Sequence, residues 1–139
     1  MANSTTLYQL PDGRMAVDVT EAKTLAAKDC GVVQNVITDA LNMTLPATVV
    51  GYHFTFRNGG VPKTGAPAGT GDDESAIVKI TPNASDYIAG IELTASDNDS
   101  INNTKATAKV GDEISLIGDG VNGYFVTNLK GTWAQIALP

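Results

Sequence analysis

The chain has 139 residues, of which 42% are hydrophobic and 17% are charged, and its net charge at pH 7 is −6. This length predicts one domain with a real core, and the hydrophobic content argues against disorder throughout. The nine Lys and Arg residues are scattered, so no basic stripe offers a surface to nucleic acid. No apolar run approaches the roughly 18 residues of a membrane span, and the first residues lack the features of a secretion signal. We therefore expect synthesis in a cytoplasm, without a nucleic acid or a membrane as partner.

The chain begins with a polar arm, residues 1–9, in which Leu7 and Tyr8 are the two apolar anchors. Such a segment cannot build its own core, so we expect it to be mobile or held only by a neighbouring subunit. Its backbone groups can pair with an exposed sheet edge, which makes Leu7 and Tyr8 candidate docking residues. Residues 10–139 are expected to form the single domain.

The next part of the chain predicts short strands and one short helix. Residues 21–31 are the only segment with helical composition, and Gly31 would end that helix. The clearest strand is Val50 to Arg57, where Tyr52, Phe54 and Phe56 fall on one face. Further strands are predicted over 14–19, 32–38, 41–45, 75–81, 87–94 and 134–138. The longest loop is 58–74, and loops of that length usually carry function or disorder.

Lys109 to Trp133 predicts the β-hairpin around which the core is built. Apolar residues stand on both sides of a turn at 118–123, whose Gly, Asp and Asn residues tolerate the positive φ angles that hairpin loops require. Trp133 is the only tryptophan, and a large ring just past a hairpin can cover the open end of a small core. The predicted core hairpin consists of Ile114, Leu116, Tyr124, Val126 and Trp133.

Together these segments make eight or nine short strands at close spacing. That number, with at most one short helix, predicts an all-β fold arranged as a compact sandwich or barrel. The apolar pairs Val32-Val33 and Ile77-Val78 place hydrophobic side chains on both faces of their strands. Surplus apolar surface of that kind is typical of a subunit interface.

No motif for catalysis, a metal or a cofactor stands out. His53 is the only histidine, and no motif pairs it with Cys30, the only cysteine. Residues 97–108 lack the ligands that an EF-hand needs at its fifth and twelfth positions and the glycine that it needs at its sixth. The glycines of 118–123 lack the following helix of a nucleotide fingerprint. We therefore predict a protein that is not an enzyme and has no catalytic, metal or cofactor-binding residues.

Three motifs near the C-terminus carry a resemblance: Val110-Gly111-Asp112, the turn Gly118-Asp119-Gly120 through Gly123-Tyr124, and Gly131-Thr132-Trp133. They resemble small capsid decoration proteins of tailed bacteriophages, and the likeness extends over roughly residues 24 to 134. Segments 44–47, 52–56 and 80–88 fit the same pattern.

The resemblance implies a β-tulip-like domain that binds the outside of the phage head as a homotrimer. The partner would be the major capsid protein, the location the outer capsid surface of the virion, and the role that of a cement that stabilises the shell. A second hypothesis is an adhesion or glycan-binding module of a head fibre or tail. That hypothesis requires Tyr and Trp side chains exposed in a groove.

Overall fold

The computed structural model describes residues 3, 5–39, 41–60, 78–90, 99–103 and 107–136. Within these ranges the chain forms twelve β-strands and one 3-10 helix at Ala27–Asp29, so the all-β prediction is confirmed. None of the helical structure in these ranges is long and apolar enough to cross a membrane. The strands are β1 (Tyr8–Gln9), β2 (Met15–Val19), β3 (Lys23–Thr24), β4 (Val32–Val36), β5 (Leu41–Thr44), β6 (His53–Asn58), β7 (Val78–Thr81), β8 (Tyr87–Ala89), β9 (Ser100–Asn103), β10 (Glu113–Gly118), β11 (Gly123–Lys130) and β12 (Ala134–Ile136).

The strands form two mixed sheets, and the chain alternates between them. The larger sheet has the order β1-β2-β4-β6-β10-β11-β8, and the smaller one has the order β12-β9-β7-β5-β3. From β2 to β10 each strand lies in the sheet opposite to the strand before it. The strands that follow one another within one sheet run in the same direction. Thus β2, β4 and β6 pair in parallel in the larger sheet, and β3, β5 and β7 pair in parallel in the smaller sheet.

The core lies between the two sheets and follows from the alternation along each strand. In β6, Phe54 and Phe56 are 1% and 0% exposed, whereas His53 on the opposite face is exposed. Side chains of successive strand residues point to opposite faces, so one face packs inward and the other remains polar. The inward residues form one cluster that includes Val19, Leu25, Val36, Met43, Leu45, Val78, Ile80, Ile88 and Ile101.

The hairpin of β10 and β11 lies inside the larger sheet rather than at its edge. The strands pair from Glu113 with Lys130 to Gly118 with Tyr124, and a bulge follows Ser115. The Asp119 carboxylate accepts hydrogen bonds from three backbone N–H groups of the turn, those of residues 121, 122 and 123. These bonds hold the pKa of Asp119 below its usual range.

A buried polar cluster joins the two sheets at the end where β6 stops and β10 starts. Asn58 on the larger sheet donates from Nδ2 to Asn103 Oδ1 on the smaller sheet, at 2.7 Å. Asn103 in turn donates to the Asp112 carboxylate and to the carbonyl of Thr132. The Asp112 carboxylate also accepts from the backbone N–H of Lys109. The side chains of Asn58, Asn103 and Asp112 are buried and hydrogen-bonded, so the cluster joins the sheets without leaving a buried polar group unpaired.

Three short strands, β1, β3 and β9, were not expected from the sequence. Each pairs with a neighbour whose position only the fold provides: β1 with β2, β3 with β5, and β9 with β7 and β12. Residues 21–31 correspondingly contain β3 and the short 3-10 helix, which agrees with at most one short helix. Leu25 is drawn into the core at 2% exposure, and this packing overrides helix propensity.

The apolar pairs that suggested a subunit interface differ in burial where the structure describes them. Val33 is 2% exposed and Val78 is 0% exposed, so both are buried within their own chain. Ile77 and most of the loop 58–74 lie outside the described residues. Val32 is half-buried, and the homotrimer remains a prediction.

Candidate functional site

The arm contacts its own sheet. Tyr8 and Gln9 form β1 against β2, and the Tyr8 hydroxyl donates to Asp18 Oδ1 at 2.5 Å. Burial raises the pKa of Tyr8 to about 12, and the hydrogen bond to Asp18 adds to the effect. Asn3 Oδ1 accepts hydrogen bonds from the backbone N–H groups of Thr20 and Glu21. The expectation of an arm that is mobile or held only by a neighbour is therefore corrected, because backbone pairing and side-chain bonds attach it to this chain.

Leu7, the other predicted docking residue, is 51% exposed. It lies at a groove of about 370 Å³ whose apolar walls include Val17 and Val32. The charged side chains at this groove are Lys23, Lys28 and Asp29. Leu7 is thus placed where an apolar anchor is available to a partner, whereas Tyr8 is used inside the domain.

Tyr8 belongs to a polar network on the outer face of the larger sheet. Asp18 Oδ1 accepts from the Tyr8 hydroxyl and from Asn35 Nδ2, the latter at 3.0 Å. Asn35 Oδ1 then accepts from Arg57 Nη1, also at 3.0 Å. This network crosses β2, β4 and β6 and fixes the direction of the Arg57 guanidinium.

A cavity of about 250 Å³ lies beside this network, under the turn between β1 and β2. Arg14 donates to both oxygens of Glu113, with Nη2 to Oε2 at 3.0 Å, and its Nε donates to Asp12 Oδ2 at 2.8 Å. The bonds to Glu113 raise the pKa of Arg14. The backbone N–H of Arg14, followed by its side chain, holds the pKa of Asp12 below its usual range. Arg57 and Lys130 complete the charged lining.

An exposed apolar patch lies at the hairpin turn. Its members are the side chains of Val49, Val50, Ile117 and Val121, of which Val50 and Val121 are 77% and 79% exposed. The adjoining loop is fixed by Thr48, whose hydroxyl donates to the Gly123 carbonyl at 2.6 Å. The same hydroxyl accepts from the backbone N–H of residue 120. These two hydrogen bonds attach the loop that carries Val49 and Val50 to the hairpin turn.

The residues of the predicted core hairpin are all buried. Ile114 and Tyr124 are 0% exposed, and Leu116, Val126 and Trp133 are 1%, 7% and 9% exposed. The hydroxyl of Tyr124 donates to the Pro46 carbonyl, and burial raises the pKa of this side chain. They are structural residues and are not available to a ligand.

His53 and Cys30, the residues weighed for chemistry, are not joined by a hydrogen bond in the described part of the chain, although a Cβ atom at Gly31, next to Cys30, would stand 3.5 Å from His53 Nε2. His53 Nδ1 lies 3.1 Å from the carbonyl oxygen of Gly51, and Cys30 packs against the core. Among the described residues, no group of three or more His, Cys, Asp or Glu side chains could hold a metal ion. Residues 97, 98 and 104–106 of the calcium-like segment considered in the sequence lie outside the described ranges, and Asp99 accepts a hydrogen bond from Gln135.

The glycan-binding hypothesis asks for exposed rings. Trp133, Phe54, Phe56 and Tyr124 are buried, and the remaining aromatic residues are half-buried. Of these, Tyr87 packs edge-on against Phe125 with ring centroids 5.9 Å apart. No observation on the described surface therefore favours a stacking platform for sugars.

The charged lining of the cavity was missed by reasoning from the sequence. Arg57 and Lys130 come from separate strands and Arg14 from the β1–β2 turn, and no local motif connects them. The available signal was the polar face of β6, where Arg57 stands opposite the aromatic stripe. Comparisons with protein-family models, with curated proteins and with solved structures found no match. The resemblance to decoration proteins is therefore carried by the sequence motifs alone.

Proposed function

We propose that this chain is a non-enzymatic structural protein of a tailed-bacteriophage virion. It binds the outside of the head as a homotrimer, and its partner is the major capsid protein. It is made in the cytoplasm of the bacterial host and ends on the outer capsid surface. Each trimer spans neighbouring capsid subunits, and its binding energy shifts the equilibrium toward the intact shell.

The observation that carries the proposal is that two motifs of the resemblance meet in space. Asp112 of the Val-Gly-Asp motif lies against Gly131 of the Gly-Thr-Trp motif. Asn103 binds both the Asp112 carboxylate and the carbonyl of Thr132. The residues of the two motifs pack and hydrogen-bond together where the sheets join, so a change in one motif affects the other. The likeness to decoration proteins therefore concerns residues that stabilise this fold.

The exposed surface agrees with a role in attachment. Leu7 at the arm and the apolar patch at the hairpin turn leave hydrophobic side chains in solvent. Contiguous exposed apolar side chains are typical of protein–protein contact sites. The net charge of −6 favours solubility of free subunits before assembly.

The test is co-sedimentation of the purified protein with undecorated phage heads, followed by electron microscopy of the particles. We expect saturable binding at defined positions on the outer surface and a higher melting temperature of decorated heads. Light scattering of the free protein is expected to return three times the 14.4 kDa chain mass. Density on a tail or fibre would instead favour the adhesion hypothesis, and absence of binding to heads would refute the proposal.

A further inference from the structure

We propose that the cavity beside Arg14 is a binding site for a carboxylate group, and that an acidic side chain of the capsid protein occupies it in the assembly. The identity of this partner rests on the proposed function, whereas the carboxylate site itself does not. The cavity of about 250 Å³ lies between the β1–β2 turn and the outer face of the larger sheet. Its charged lining consists of Arg14, Arg57, Lys130, Asp12 and Glu113.

The two resident carboxylates are already engaged. Glu113 is 9% exposed, and both of its oxygens accept from Arg14. Asp12 accepts from Arg14 Nε at 2.8 Å and from the Arg14 backbone N–H at 3.1 Å. Arg14 thus folds the turn over the sheet and forms one wall of the cavity, with its guanidinium committed to groups of the same chain.

Arg57 and Lys130 are the cations that remain for a ligand. Arg57 uses Nη1 for Asn35, and neither Arg57 nor Lys130 forms an ion pair within the described part of the chain. Because Asn35 is itself held by Asp18, the guanidinium is oriented before any ligand arrives. A fixed guanidinium fork beside an ammonium suits a carboxylate, which accepts parallel hydrogen bonds from the fork.

The charge balance favours a carboxylate over a phosphate. Three cationic and two acidic side chains leave the lining with a net charge of +1, on a chain whose net charge is −6. One carboxylate neutralises that charge, whereas a phosphate monoester carries about −1.5 to −2 and would meet the two resident carboxylates. The cavity is therefore a local positive site on an acidic protein, and charge complementarity directs an acidic side chain toward it.

The probe is the peptide acetyl-Gly-Glu-Gly-amide, with acetyl-Gly-Gln-Gly-amide as its uncharged match. Both are titrated into the isotope-labelled full chain, and nuclear magnetic resonance follows the Arg57 Nε–H and the backbone amide of Gly111, which lines the cavity. We expect saturable shifts with the glutamate peptide and none that saturate with the glutamine peptide. Raising the salt concentration should weaken the binding because the charges are partly exposed.

Two variants with the same loss of charge separate the cavity from general electrostatics. Lys130→Gln is expected to lower the affinity for the glutamate peptide about two- to fivefold, which is the contribution of a partly exposed ion pair to binding. Lys79→Gln alters the smaller sheet, away from the cavity, and should leave the affinity unchanged. Equal effects of the two variants would overturn the site. So would equal shifts with both peptides, no saturable shift, or tighter binding of inorganic phosphate than of acetate.

Binding to undecorated heads separates the site from its proposed partner. If the cavity takes the glutamate peptide and Lys130→Gln also weakens head binding, both statements stand. If the peptide binds and the wild-type protein does not attach to heads, the proposed function fails while the site stands. If heads bind and the peptide does not, the carboxylate site fails while the proposed function stands.

Discussion

Gly131 lies against the side chain of Asp112 so closely that a Cβ atom at position 131 would stand 2.2 Å from Asp112 Cγ. The φ angle of Gly131 is +94°, a conformation that other residues adopt at a cost. The Asp112 carboxylate also accepts from Asn103 and from the backbone N–H of Lys109. Gly131 is therefore required both by its backbone and by the buried cluster that joins the sheets.

This contact predicts the effect of Gly131→Ala. The new methyl group must displace the Asp112 carboxylate and break its buried hydrogen bonds, in addition to the strain of the positive φ. We expect the free energy of unfolding to fall by about 3 kcal/mol. Urea denaturation followed by tryptophan fluorescence measures the loss.

A matched control for this variant is Gly51→Ala. Gly51 has a similar φ of +85°, but a Cβ atom there would meet nothing within 4 Å. The free energy of unfolding of the control should therefore fall by the backbone strain alone, about 1 kcal/mol. Equal losses in the two variants would show that the Asp112 contact contributes nothing.

Removal of the Trp133 ring is expected to cause a large loss of stability. The side chain belongs to the core cluster, and its indole N–H donates to the Lys130 carbonyl at 2.9 Å. Trp133→Ala should lower the free energy of unfolding by roughly 3 to 5 kcal/mol, because a cavity replaces the ring. Trp133→Phe keeps a ring and loses the hydrogen bond, so about 1 to 2 kcal/mol is expected. Calorimetry on both variants is the measurement, and a wild-type melting temperature for Trp133→Ala would contradict the central place of the hairpin.

The raised pKa of Tyr8 predicts that the domain loses stability in strong alkali. Its pKa in the folded protein is about 12, raised by burial and by the bond to Asp18, whereas an unfolded tyrosine has a pKa of about 10. A raised pKa means that the contribution of the neutral phenol is complete below about pH 10 and is lost as the pH rises toward the folded pKa. The titration of absorbance near the tyrosinate band should contain a component at about 12 that Tyr8→Phe removes. Persistence of that component in Tyr8→Phe would assign it to another tyrosine.

Leu7 separates docking from folding within the arm. A mobile arm would allow residues 2–9 to be deleted without loss of folding, but β1 and the bond from Tyr8 to Asp18 predict a lower melting temperature for that deletion. Leu7→Ser changes a side chain that is 51% exposed, so the melting temperature should stay within about 2 °C of wild type. Attachment to undecorated heads should weaken because an apolar anchor is lost.

The matched control is Val110→Ser, which removes an exposed apolar side chain outside the arm and outside the patch at the hairpin turn. If the arm supplies the docking contact, only Leu7→Ser reduces head binding. Normal binding by Leu7→Ser, or an equal loss in Val110→Ser, would contradict that role for the arm.

The strands themselves were accessible from local pattern. The alternation of His53 to Arg57 predicts a half-buried strand, and the burial of Phe54 and Phe56 follows it residue by residue. The glycine-rich turn at 118–123 predicts a hairpin, because turn geometry depends on residues that are adjacent in the chain. Leu25 shows the limit of this reasoning, since its packing into the core replaces the helix that residues 21–31 favour locally.

The cavity was not accessible in the same way. Arg57 and Lys130 are polar residues on two strands and Arg14 lies in a turn, and each alone is an ordinary polar side chain. They meet because β6 and β11 flank β10, and because Arg14 brings the β1–β2 turn down onto Glu113. Contacts between residues distant in sequence depend on strand order, and single-sequence periodicity carries no information about strand order.

The sequence by itself determined the all-β class, the central hairpin and the buried faces of its strands. These depend on local backbone preference and on the two-residue period of side-chain direction. Only the tertiary structure decided that successive strands alternate between two sheets, that β2, β4 and β6 run in parallel, and that Asp112 meets Gly131. The physical reason is that these features depend on the total apolar surface that all the strands bury together. No single segment of the sequence carries information about that total.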